Sequence, residues 1–168
     1  MITFPARDIF EGLIKKPPDK CKYVFLADNA FFAEALQPST NNTEYMTVYI
    51  STQSEANAYT MDEFCTLVNS YSPETTYLSD FYFLPIGNKS RNEKLREVLK
   101  GRGCKCSTDA WKTFSQGADY FQQNEKALME AAQGAINKCK GKRTICVKTQ
   151  KVRRIAGLGN GNFCRVLS

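Results

Sequence analysis

Four acidic side chains stand at positions where a folded sheet could bring them together. Asp28 directly follows the first predicted strand, and Asp80 lies within the third. Asp62 and Glu63 begin the helix predicted between the second and third strands. Loops at the carboxyl ends of strands in a doubly wound sheet meet at one edge, so these carboxylates are candidates for one site. Three converging carboxylates can hold Mg²⁺ or Mn²⁺, which activates water for attack on a phosphodiester.

This arrangement makes a metal-dependent nuclease, or a toxin-like effector, one hypothesis for the protein. Each acidic residue also has a structural interpretation, because Asp28 and Asp62 would stabilise helix starts and Asp80 would face water. The sequence contains no His. Imidazole bases and His-ligated zinc or haem are therefore excluded, and an enzyme here would use carboxylates, Lys, Tyr, Cys or a hard metal ion. Whether the protein is an enzyme stays open.

Cysteine is abundant, at seven residues, and an odd number cannot all pair within one chain. The cysteines are Cys21, Cys65, Cys104, Cys106, Cys139, Cys146 and Cys164. Arg102 and Lys105 flank the pair Cys104 and Cys106 and would lower a thiol pKa, but no base completes a catalytic pair. Two alternatives remain: a disulfide framework in a secreted interaction domain, or small buried apolar side chains.

Positive charge is concentrated at the C-terminal end. Residues 1–100 carry a net charge of −3 and residues 101–168 carry +9. Residues 138–168, called the basic segment below, contain nine Lys or Arg and no carboxylate. Its candidate anion-binding residues are Lys140, Lys142, Arg143, Lys148, Lys151, Arg153, Arg154 and Arg165. An average surface mixes both signs, so this asymmetry indicates an anionic partner or a neighbouring acidic face of the same fold.

Nucleic acid is the leading candidate for that anionic partner. Phe163 is the one aromatic residue of the basic segment, so binding would be electrostatic and salt-sensitive rather than dominated by base stacking. An anionic membrane surface or an acidic protein would suit the same cations. The glycine run from 157 to 161 lacks a following helix to hold a pyrophosphate, so it predicts a hairpin turn. The sequence thus favours an anion-directed binding module.

Alternating strand and helix patterns must position these residues. The predicted strands span 22–27, 45–51 and 77–86, and the capping boxes Thr60/Glu63 and Ser90/Glu93 each predict the start of a helix. A helical region is predicted from 108 to 138, broken at Gly117. The basic segment is predicted to be β, with strands at 143–148, 152–158 and 162–167.

The predicted fold is α/β, or α+β, in a single compact domain over residues 1–168. We expect a mixed sheet of about five to six strands with helices packed on it, ending in a C-terminal antiparallel hairpin. No apolar run is long enough to cross a bilayer, and the opening residues lack a signal-peptide pattern. A cytoplasmic location is therefore expected. The alternative is secretion after removal of a signal peptide, which the glycosylation triplets at Asn41 and Asn88 favour. The oligomeric state is not predicted.

Overall fold

The main elements alternate between strands and helices. A computed structural model describes the backbone of residues 2–40 and 42–150, with side chains as far as residue 141. The strands are β1 (Tyr23–Ala27), β2 (Tyr45–Ser51), β3 (Tyr59–Thr60), β4 (Tyr82–Pro85) and β5 (Lys105–Cys106). The α-helices are α1 (Ala6–Leu13), α2 (Ala30–Ala35), α3 (Met61–Asn69), α4 (Lys89–Gly101), α5 (Ala118–Gln122) and α6 (Glu125–Gln150). Two 3₁₀ turns span Leu78–Asp80 and Ala110–Phe114.

The five strands form one sheet in the order β3-β2-β1-β4-β5. Central β1 pairs in parallel with β2 and β4, Tyr23 lying opposite Tyr45 on one side and Tyr82 on the other. The outer pairs are also parallel. The mixed sheet predicted above is therefore wrong for the described residues, because each connection between neighbouring strands returns the chain to the same edge. The strand order reverses between β1 and β4, which makes that gap the switch point of a doubly wound sheet.

Aromatic side chains fill the space on both faces of the sheet. On one face, Phe25 of β1 packs edge-on against Phe114, with ring centroids 5.8 Å apart. On the other face, Phe83 of β4 contacts Phe10 of α1 at 6.2 Å and Phe64 of α3 at 6.4 Å. Such pairs contribute about 0.5–1.5 kcal/mol each beyond their buried area. The sheet is thus covered by helical elements on both sides.

Several sequence predictions are confirmed. Strand β2 has the predicted bounds, and β1 differs from its prediction by one residue. The predicted capping box at the start of α3 is present, because the Thr60 hydroxyl accepts from the Glu63 amide and Glu63 accepts from the Thr60 amide. Helix α4 also exists, but its N-cap is Asn88, whose side chain accepts from the Ser90 and Arg91 amides. The Ser90/Glu93 capping box is therefore wrong.

The strand predicted over 77–86 is shorter than expected. Residues Leu78–Asp80 form a 3₁₀ turn, closed by the Asp80 amide donating to the Tyr77 carbonyl, and β4 begins only at Tyr82. The polar pair Ser79 and Asp80 interrupts the apolar pattern at this turn. Helix α1 and the two-residue strands β3 and β5 are not among the predicted elements.

The C-terminal part of the chain differs most from its prediction. The break at Gly117 is confirmed, with φ of +89°, a conformation that glycine adopts without strain. The strand predicted at 143–148 is wrong, because α6 continues through these residues to Gln150. Extending an existing helix adds one hydrogen bond per residue, which outweighs the local β preference of Thr144, Ile145 and Val147. The predicted strands 152–158 and 162–167, and with them the hairpin, lie outside the described residues.

The chain divides into two compact units, residues 1–129 and residues 130–168. The first unit contains the sheet and α1 to α5, and the described part of the second is the remainder of α6. A single domain over 1–168 stays a prediction. Within the described residues, no helix combines the length and apolar content needed to cross a bilayer, in agreement with the prediction of no transmembrane segment.

Replacing Thr60 by Ala removes the hydroxyl that caps α3, leaving the Glu63 amide without its partner. We expect the free energy of unfolding to fall by about 1 kcal/mol in urea titrations. Thr66→Ala is the matched control, because it deletes the same atoms at an exposed position inside the same helix. Its effect should stay within about 0.5 kcal/mol. Equal effects of the two substitutions would contradict the capping role.

Candidate functional site

The carboxyl edge of the parallel sheet brings together residues that are far apart in the sequence. Asp28 follows β1, while Gly87 and Asn88 follow β4 and lead into α4. One carboxylate oxygen of Asp28 accepts from the Asn88 amide at 2.8 Å. A Cβ on Gly87 would lie 2.4 Å from Asp28 Cγ, so the close approach requires glycine at this position. Asp28 therefore lies across the switch point of the sheet.

The sequence predicted Asp28 as the N-cap of α2, and this prediction is wrong. That role belongs to Asn29, whose side-chain oxygen accepts from the Phe31 amide at 2.8 Å. Phosphate groups commonly bind at the switch point of doubly wound sheets, against the helix that follows the strand. Here the Asp28 carboxylate already takes an amide at the entrance to α4. The Asn88 amide at the start of α4 is thus already engaged by a carboxylate of the same chain.

One cleft beside α4 has a volume of about 410 Å³ and lies at the carboxyl ends of β2 and β3. It is lined by Ser51, Thr52, Thr60, Met61, Asp62, Ser90, Arg91 and Lys94. The Arg91 guanidinium donates to the Ile50 carbonyl at 2.8 Å, which fixes it at the end of β2. Exposed Lys94 and Asp62 bring one charge of each sign. This surface offers hydroxyls and cations to a small polar ligand.

Glu63, one of the predicted site residues, is engaged in a structural network. Its carboxylate accepts from the Thr60 amide at 2.9 Å and from the Arg7 guanidinium at 3.2 Å. These two contacts, the backbone hydrogen bond first, hold the pKa of Glu63 below its usual range. Arg7 also stacks over the Tyr59 ring at 4.4 Å, and the Tyr59 hydroxyl donates to Glu11 at 2.6 Å. The network ties α1 to the start of α3, and its stabilising effect is lost as the pH falls through the pKa of Glu63.

The four carboxylates of the nuclease hypothesis are not brought to one place. Asp28 and Asp62 lie at the carboxyl edge, and Glu63 is occupied in the network described above. Asp80 lies in the 3₁₀ turn that precedes β4, at the opposite edge of a parallel sheet. In the part of the chain that the structure describes, no three acidic or sulfur ligands form a group that could hold a metal ion. The geometry therefore gives no support to Mg²⁺ or Mn²⁺ chemistry at these residues.

Burial is the main influence on the pKa values of three cysteine thiols. Among the residues whose side chains are described, Cys21, Cys65 and Cys104 form no disulfide. Burial raises the pKa of Cys21 and of Cys104 from 9.0 to about 11, and it also raises the pKa of Cys65. Arg102 and Lys105 oppose the rise at Cys104, but burial outweighs them, so the expected lowering of this thiol pKa is wrong.

The basic segment is only partly described. Lys140 is exposed on α6, and the helical backbone continues past Lys142, Arg143 and Lys148 to Gln150. The predicted anion-binding residues that lie outside the described residues are Lys151, Arg153, Arg154 and Arg165. The structure therefore changes the expected form of the first half of the basic segment from strand to helix.

Comparison of the chain with models of protein families, with curated proteins and with solved structures found no match. The site must therefore be interpreted from its own geometry and charge.

Replacing Gly87 by Ala should force the new methyl group against Asp28 and cost about 1–3 kcal/mol of unfolding free energy. The double variant Gly87→Ala with Asp28→Gly removes the clash and should recover part of that loss. Gly12→Ala is the control, because a Cβ there meets nothing within 4 Å. It should leave stability unchanged or raise it. Additive effects of the two substitutions in a urea double-mutant cycle would contradict the close approach.

Alkylation rates should report the raised thiol pKa values. At pH 8 a thiol with a pKa of about 11 has about one-hundredth of the thiolate of a thiol with a pKa of 9.0, so Cys21 and Cys104 should react with iodoacetamide at least about a hundredfold more slowly folded than in urea. Peptide mass spectrometry gives each rate separately. Because these pKa values are raised in the folded state, stability should fall as the pH rises from about 9 toward 11. Equal rates with and without urea would contradict burial of these thiols.

Proposed function

We propose that this protein is an anion-directed binding module that contacts nucleic acid through its basic segment. The observation that carries the proposal is the composition of residues 138–168, which hold nine cations and no carboxylate. A segment of this length without an acidic residue has no internal means of neutralising its charge. Binding to a polyanion would neutralise it and release condensed counterions, which favours association at low salt.

The helical form of residues 138–150 supports this proposal by concentrating charge. Five cations lie in this stretch: Lys138, Lys140, Lys142, Arg143 and Lys148. As a helix, the stretch is about 18 Å long, whereas the same thirteen residues in an extended conformation would span about 40 Å. The helix therefore carries about one charge per 4 Å of its axis, close to the axial rise of about 3.4 Å per phosphate on one strand of duplex DNA.

The basic segment is expected to contact phosphates rather than bases. Lys and Arg contacts to the backbone position a protein without selecting a sequence. The basic segment should therefore bind many sequences with similar affinity. If an acidic protein or an anionic membrane were the partner instead, it would displace DNA or RNA from the protein in direct competition.

The salt dependence of binding tests the proposal. Log Kd for a labelled 20-nucleotide strand, measured by fluorescence anisotropy, should rise linearly with log salt, with about 0.7 of slope for each phosphate contact. Arg153→Ala with Arg154→Ala should lower that slope by about 1.4 and weaken binding at every salt concentration.

The control for this experiment is Lys15→Ala with Lys16→Ala, which removes two exposed cations from the loop after α1. It changes the net charge equally but should leave the slope unchanged. A flat salt response of the unaltered protein, or an equal loss in both double variants, would refute binding through the basic segment.

A further inference from the structure

A second cleft lies on the other side of α4, at the carboxyl ends of β4 and β5. Its volume is about 240 Å³. It is lined by Pro85, Lys89, Asn92, Glu93, Arg96, Ser107, Thr108, Trp111 and Lys112. Drug-sized ligands occupy about 300–1,000 Å³, so this cleft fits a smaller group, of the size of one nucleotide unit.

The floor of this cleft is internally satisfied and fixed in place. Asn92 is buried, and its side chain accepts from the Gly87 amide at 3.1 Å and donates to the Gly87 carbonyl at 3.0 Å. The buried Ser107 hydroxyl accepts from the Ala110 amide at 3.1 Å, which anchors the 3₁₀ turn that carries Trp111. The ligand-facing groups are therefore held on a rigid base.

Trp111 is the only tryptophan of the chain and is among its exposed large apolar side chains, at 38% exposure. An indole on a rigid turn at the wall of a cleft is a stacking platform. Nucleobases stack on such platforms irrespective of sequence, because every base presents a flat π face. This aromatic group is the feature that the basic segment nearly lacks.

The charges around Trp111 complement a phosphate. Lys89, Arg96 and Lys112 line the cleft, and Glu93 is the one carboxylate among its lining residues. The net charge of the lining is therefore positive. Lys and Arg bind phosphate oxygens beside the ring that holds the base, which is the combination found in grooves that bind single strands.

We infer that this cleft, called the Trp111 cleft below, binds one nucleotide unit of a single-stranded nucleic acid. The base stacks on Trp111, and its phosphate is held by Lys89, Arg96 and Lys112. The choice of a nucleic-acid strand as the ligand rests on the proposed function. The residues that line the cleft are not part of the basic segment. The same chemistry would be offered by a free nucleotide, and the experiment separates the two sources.

Tryptophan fluorescence tests the inference directly, because every photon of this emission comes from Trp111. Titration with oligothymidylate of 15 nucleotides should quench the emission saturably, whereas inorganic polyphosphate, which has no bases, should not. Thymidine monophosphate at the same nucleotide concentration should quench weakly if the strand is the ligand. Equal quenching per nucleotide by the monophosphate would show that the cleft binds free nucleotides, and it would overturn the inference that a single strand is its ligand.

Substitutions give the second measurement, with affinity read from the anisotropy of the labelled strand. Trp111→Ala should weaken binding about 5- to 150-fold, the range for loss of one stacked base. Tyr77→Ala is the matched control: Tyr77 is 37% exposed and precedes β4, at the opposite edge of the sheet, so affinity should not change. Arg96→Ala should weaken binding and Glu93→Gln should strengthen it, opposite signs that unfolding would not produce.

The Trp111 cleft and the basic segment can fail separately. If Arg153→Ala with Arg154→Ala leaves affinity unchanged while quenching persists, the basic segment is refuted and the Trp111 cleft stands. If Trp111→Ala and Tyr77→Ala bind equally well, or polyphosphate quenches as the strand does, stacking at Trp111 is refuted.

Discussion

Parallel pairing of β1 with both β2 and β4 is the interaction on which the rest of the structure depends. All five residues of β1 are buried, so helical elements must cover both faces of the sheet. Because the strands run in one direction, the segments that follow them meet at one edge. Asp28 and Asn88, sixty positions apart, become hydrogen-bonded neighbours for this reason. The clefts on the two sides of α4 follow from the same geometry.

Local signals in the sequence predict those parts of the fold whose partners are near in the chain. The Thr60/Glu63 capping box joins residues three positions apart, and β2 is a continuous run of strand-forming residues, so both are predictable. Strands β3 and β5 are two residues long and are defined by their pairing with β2 and β4, which no local pattern records. The strand expected at 143–148 is wrong because the continuation of a long helix outweighs local preference.

For the proposed binding surface, the sequence predicts the charge but not the geometry. The concentration of Lys and Arg in the basic segment is a property of composition, and it indicates an anionic partner without any structure. Trp111 could not be found in this way, because the role proposed for it depends on cations that the fold places around it, two of them on α4. The predicted convergence of the four carboxylates is not observed, because it relied on sequence order alone. Their order along the chain suggested one site, but Asp80 precedes its strand and Asp28 follows its own, so the parallel sheet separates them.

Strands β3 and β5, each two residues long, limit the pairing of another chain with the sheet edges. These strands form both margins of the sheet, where backbone amides and carbonyls would otherwise be available to a foreign strand. So short a margin supports only a few rungs of a new ladder, too little to hold an extended peptide. Association by strand addition is thereby discouraged.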